Sequence, residues 1–149
     1  MKKSLEIHLR TIHLGSAKRV VTLGMNNQDL ANDYLLKLAK SNPRGFQSIL
    51  KRLQVVAEHE AMENKRTYRH VGEQVFEVKI PSGLRLYTFP DTLEGQPQLL
   101  VLAVCGGKKG NKKAQDADIA KAKKLRKQYL AAKTSPNTKL TLTPLPDEI

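Results

Sequence analysis

One cysteine, no tryptophan and seven phenylalanine or tyrosine residues in 149 positions remove several classes of protein at once. A lone Cys105 cannot build an internal disulfide framework or a cysteine-cluster metal site. It closes the apolar run Leu99–Val104 and is read as a buried small hydrophobe rather than a nucleophile. Long apolar stretches are also missing: nothing approaches the ~20 residues of a membrane span. Aromatic anchors for a membrane surface are scarce. Met1-Lys2-Lys3 leads into a charged, alternating segment instead of the apolar core of a secretory signal, so a cytoplasmic location is expected. The four histidines show no metal-ligand spacing, and Gly106-Gly107-Lys108-Lys109-Gly110 lacks the glycine pattern of a nucleotide loop. Neither a metal nor a cofactor is expected.

Acidic residues are in the minority. Twenty-six Lys and Arg face 14 Asp and Glu, for a net charge of +12. Such a field draws polyanions and speeds their encounter without dictating a fold. Ten Lys or Arg and two Asp or Glu fall between Gly106 and Lys133, a local excess of +8. Nucleic acid is the first partner this implies, and an acidic protein is compatible with it.

Periodicity supplies the elements. Leu5, Ile7 and Leu9 alternate with Glu6, His8 and Arg10, as in a half-buried strand, and a second short strand is expected over Arg19–Leu23. Asn26-Asn27 would cap a helix from about 28 to 40, with Leu30, Tyr34, Leu35 and Leu38 on its apolar face. Asn42-Pro43 stops that helix and starts another. There Phe46, Ile49, Leu50, Leu53, Val56 and Ala57 keep helical spacing, so the two make a hairpin. Strands are expected over Val75–Ile80 and Leu84–Phe89, joined through Gly83 at positive φ. The run over 98–105 suits a central strand covered on both faces, ended by Gly106-Gly107. A lysine-rich helix follows from about Asp116 to Ala132. The expected organisation is one domain over 1–133 and a proline-bearing tail over 134–149, in which Lys139–Leu142 could add an edge strand.

That order of elements resembles the RelE/ParE superfamily, and residues 28–130 are most similar to its phage-associated, HigB-type branch. Three stretches carry the likeness. Lys51-Arg52-Leu53 is followed by Tyr68-Arg69-His70-Val71-Gly72-Glu73-Gln74-Val75-Phe76-Glu77-Val78-Lys79. Next comes Gly83-Leu84-Arg85-Leu86-Tyr87. Last is Leu102-Ala103-Val104-Cys105-Gly106-Gly107-Lys108-Lys109, with Ala120 and Ala122 in the basic helix beyond. The resemblance implies an α+β fold: a twisted antiparallel sheet, an N-terminal helix hairpin on one face and a basic C-terminal helix.

The resemblance also implies a toxin-like mRNA endoribonuclease that works without metal, often on the ribosome, and a small antitoxin as partner. A ribose 2′-hydroxyl attacks the adjacent phosphate; a base takes its proton, cations hold the added charge, and an acid protonates the leaving oxygen. Arg85 matches the family's phosphate-contacting strand arginine, Lys109 its cation after the last central strand, and Lys79 a basic position on the preceding strand. Tyr87 and His70 are the candidates for proton transfer, since the tyrosine that RelE carries early in its last helix has no counterpart over Asp116–Ile119. Lys108, Lys112, Lys113, Lys121, Lys124 and Lys127 are assigned to RNA phosphates. The alternative is a noncatalytic module on the same fold, binding RNA, the ribosome or a protein; the superfamily's gyrase-directed branch is a third reading.

Overall fold

The computed structural model describes residues 5–59, 68–108 and 110–148. Seven strands and three helices make an α+β fold. The strands are β1 (Leu5–Leu14), β2 (Lys18–Met25), β3 (Tyr68–Gly72), β4 (Val75–Lys79), β5 (Leu84–Asp91), β6 (Leu99–Lys108) and β7 (Thr138–Thr143), and the helices are α1 (Leu30–Ser41), α2 (Pro43–Glu58) and α3 (Lys112–Thr134). All seven strands share one sheet in the order β3-β4-β5-β6-β2-β1-β7.

The sheet is mixed, which corrects the antiparallel expectation. β3 through β6 form an antiparallel meander, but β2 lies parallel to β6 and β7 parallel to β1. Parallel neighbours need a long crossover, and here α1, α2 and the meander supply one, α3 part of the other. α1 and α2 pack on one face, where Leu35, Leu38, Ile49, Leu53 and Val56 meet Val20, Phe76, Val78, Leu86 and Val101. On the opposite face, Ala122, Tyr129 and Ala132 of α3 meet Ile7, Leu9, Val21, Phe89, Leu100 and Leu102. Strand alternation sends successive β5 and β6 side chains into these two layers in turn. The apolar run of β6 is therefore covered on both sides.

Local chemistry sets the element ends. Asn42 accepts from Gly45 N at 3.0 Å and Pro43 opens α2. Gly83 sits at φ +97°. Asn26 and Asn27 do not cap α1; both take positive φ, 52° and 68°, in the turn that leaves β2, a role asparagine tolerates. Asp29 is the cap, accepting from Asn32 N at 2.9 Å. Gly106 and Gly107 lie inside β6 rather than ending it. A Cβ at Gly106 would stand 2.3 Å from the Tyr34 ring, and one at Gly107 2.5 Å from Asp118 Oδ2. These glycines let α1 and α3 close on the sheet from opposite sides.

Candidate functional site

The end of the β4–β5–β6 meander brings several charged side chains onto the face that α3 covers. Cross-strand neighbours in register stand side by side on one face. Lys79 pairs with Arg85, and Arg85 with Gly107. One row further, Arg69 pairs with Glu77, Glu77 with Tyr87, and Tyr87 with Cys105. An extra residue in β6, Val104, shifts the register there.

Glu77 is the hub. It is fully buried, and its Oε2 meets Arg85 Nη1 at 2.8 Å and accepts from Gln115 Nε2 of α3 at 3.2 Å. Its Oε1 accepts from Arg69 Nη2 at 3.4 Å. A buried carboxylate is tolerated only when paired and hydrogen-bonded, and these three donors meet that demand. Arg85 is 7% exposed, and its Nε has no hydrogen-bond partner among the described residues. Neither does Tyr87 Oη. Burial, with Glu77 and Asp118 nearby, pushes the Tyr87 phenol above its ordinary pKa, so it stays protonated and able to donate.

α3 closes the corner. Asn111 caps it, accepting from Ala114 N at 2.8 Å, so that Gln115 and Asp118 of the first turns point at the sheet. Asp118 stands over Gly107, and burial raises its pKa while Lys121 opposes the rise. Cys105 lies beneath; burial drives its thiol up to about 12, which keeps it out of the thiolate form that nucleophilic chemistry needs.

Of the sequence-derived candidates, Arg85, Lys79 and Tyr87 come together on this face. His70 does not: it pairs with Phe76, whose ring lies 5.1 Å away, in the layer under α1 and α2. Lys108 pairs with Leu84, one residue beyond the Arg85 row and on the other face by alternation. Lys109 lies outside the described residues. Lys112, Lys113, Lys121, Lys124 and Lys127 are exposed along α3. Sequence reasoning missed Glu77, Arg69, Gln115 and Asp118. Glu77 carried a usable signal, a lone carboxylate at an inward position between Phe76 and Val78.

Among the described residues no three His, Cys, Asp or Glu side chains gather as a metal site would need. A groove of about 500 Å³ opens between the start of β1, the end of β2 and the second half of α3, lined by Leu23, Met25, Leu125 and Ala132 among others. Among the described residues no ionisable side chain lines it, and it is separate from the charged corner. Among the described residues no helix is long and apolar enough to cross a membrane.

Comparison of the chain with protein-family models, curated proteins and solved structures gives no match.

Proposed function

We propose that the chain is a toxin-like, metal-independent endoribonuclease of the RelE/HigB type, acting on mRNA, free or on the ribosome, with the α3-facing corner as its site. The observation that carries the reading is the alignment of Lys79, Arg85 and Arg69 with Glu77 and Tyr87 in adjacent rows of one sheet face. Guanidinium and ammonium groups hold phosphate charge through strong, charge-assisted hydrogen bonds. The Glu77 carboxylate can accept a proton and the Tyr87 phenol can give one. Burial raises the Tyr87 phenol, and a strongly perturbed, buried titratable group marks a functional site more often than ordinary surface. The surrounding charge, +12 over the chain, brings the polyanion in. Access requires Gln115 and Asp118 to leave the sheet, since they cover Glu77 and Gly107.

The test is incubation of folded protein with mRNA, with and without ribosomes, followed by mapping of product ends. Attack by the 2′-hydroxyl leaves a 2′,3′-cyclic phosphate and a 5′-hydroxyl. Intact RNA in both settings would overturn the enzymatic reading.

One observation favours a second reading, a noncatalytic RNA-, ribosome- or protein-binding module on the same scaffold. Arg85 is already committed to the buried Glu77, so a phosphate at that guanidinium competes with a carboxylate. Salt-sensitive RNA binding with no product would support it.

A further inference from the structure

We infer that the outer crest of α3 is a docking surface for double-helical nucleic acid, read through its phosphates, rather than for single strands. The inference rests on the RNA-binding reading above and narrows it. The residues farthest from the sheet are Lys113, Lys124 and Lys127, with Lys121 on one flank, all exposed. Between them stand Ala117 and Ala120, and just beyond Lys127 stands Ala131, all exposed, whose small side chains let a partner approach the helix closely.

The crest is built at a cost to the helix. Lys112 and Lys113 occupy its first turn, which holds no acidic residue, although the positive end of the macrodipole favours acids there. Lys121, Lys124 and Lys127 follow one another at i, i+3, a spacing at which like charges repel. Among the described residues, Lys127 alone of these lysines forms an ion pair, with Glu73 at 3.8 Å, and Lys121 lies near the partly buried Asp118. Lys112, Lys113, Lys121 and Lys124 form no ion pair among the described residues. Self-repulsion of this kind is relieved when an external polyanion supplies the counter-charge.

The missing side chains select the class of polyanion. Single-strand binders stack bases on aromatic platforms, and the only aromatic residue of α3, Tyr129, is fully buried and donates to Asp91 Oδ2 at 2.6 Å. Large apolar side chains, the usual anchors of protein partners, are absent from the crest as well. From Lys112 to Lys127 a helix rises about 22 Å, so the ammonium groups form a rigid row. A rigid row matches the fixed, dense phosphate array of a duplex, which carries one charge per about 1.7 Å of axis. A flexible single strand would have to be ordered to follow it.

The experiment measures affinity of the full chain, at several salt concentrations, for a 20-base-pair RNA duplex, the duplex DNA of the same sequence, and either strand alone. The duplex RNA is expected to bind at least tenfold more tightly than single strands, and duplex DNA within a few-fold of duplex RNA. Lys124→Gln/Lys127→Gln should lower the salt slope by about two and weaken duplex binding at least tenfold, while Lys37→Gln/Lys40→Gln on α1 leaves it unchanged. Single strands bound as well as duplex, duplex RNA bound without duplex DNA, or equal effects of the two double variants would overturn the inference and leave RNA binding standing. No binding to any nucleic acid would overturn the RNA reading itself. Circular dichroism confirms that each variant is folded.

Discussion

Removing the Glu77 carboxylate would strand the Arg85 guanidinium beneath α3 with no counter-charge. Glu77→Gln is therefore expected to destabilise the fold by about 3 kcal/mol in urea unfolding, because an uncompensated buried charge costs far more than the pair contributes. A loss below about 1 kcal/mol would mean that Arg85 reaches water and that the corner is open. Asp118 gives a pH signature. Its pKa is raised in the folded protein by burial, so the native state binds its proton more tightly than the unfolded chain. Stability from this group is then present at low pH and falls as pH rises from the ordinary aspartate range through the raised value. Asp118→Asn should remove that fall in a series of thermal melts. It should also raise RNA affinity several-fold, since a negative charge over Gly107 disappears. An unchanged pH profile and unchanged affinity would place Asp118 away from the site.

At the scale of elements, α1 and α2 were the most legible part of the chain; α3 begins at Lys112, four residues before its expected start at Asp116, because Asn111 caps it. α2 starts at Pro43 as expected and spans the whole apolar stripe through Ala57, because Asn42, Pro43 and that stripe are local signals. α1 began two residues late because Asp29, not the asparagines, offered its carboxylate to Asn32 N. β3 was read only as a motif: Tyr68–Gly72 is a five-residue edge strand whose exposed Arg69 and His70 hide its alternation. The parallel pairings of β2 with β6 and β1 with β7 were invisible, since pairing partners 81 and 133 residues away (Lys18 with Leu99, Leu5 with Thr138) leave no periodic trace. Lys79, Arg85 and Tyr87 could be placed because they sit on regular strands. Glu77 and the α3 residues above it could not, because their meeting depends on where α3 lands.

Two anchors hold α3 and the last strand in place, and each can be tested. Tyr129 donates to Asp91 Oδ2, which Lys133 also contacts at 2.7 Å. Tyr129→Phe should cost about 2 kcal/mol, the scale of a hydrogen bond to a charged acceptor, and should raise hydrogen exchange along α3. An unchanged exchange pattern would show that packing alone positions the helix. Beyond β7, Glu148 takes two hydrogen bonds from Arg19, at 2.9 and 2.6 Å, and the guanidinium lowers its pKa. Its contribution is present above the ordinary carboxylate range and is lost as pH falls through the depressed value. The protection of β7 amides relative to their intrinsic exchange rates should therefore fall in acid, and Glu148→Gln should show that loss of protection already at neutral pH. Slow exchange in the variant would mean that β7 holds without this clasp.

Across the whole molecule, basic charge is densest on the α3 side of the sheet: α3 carries eight Lys or Arg against two Asp, α1 and α2 together five against two. The α1 and α2 layer buries Lys18, whose ammonium donates to Val56 O at the end of α2. The α3 side carries the lysine crest and the charged corner. Under the proposed function the two regions on that side would make separable contributions: the crest salt-dependent attraction, and the corner a seat for one phosphate. The most direct measurement of the central claim is the affinity of Arg69→Gln/Lys79→Gln for a 2′-deoxy-substituted oligonucleotide that cannot be cut. Both side chains are exposed enough to be replaced without unfolding the protein. The account predicts at least a tenfold loss of affinity, with the unfolding midpoint little changed. Wild-type affinity in that variant would contradict it and remove the corner from any part in handling RNA.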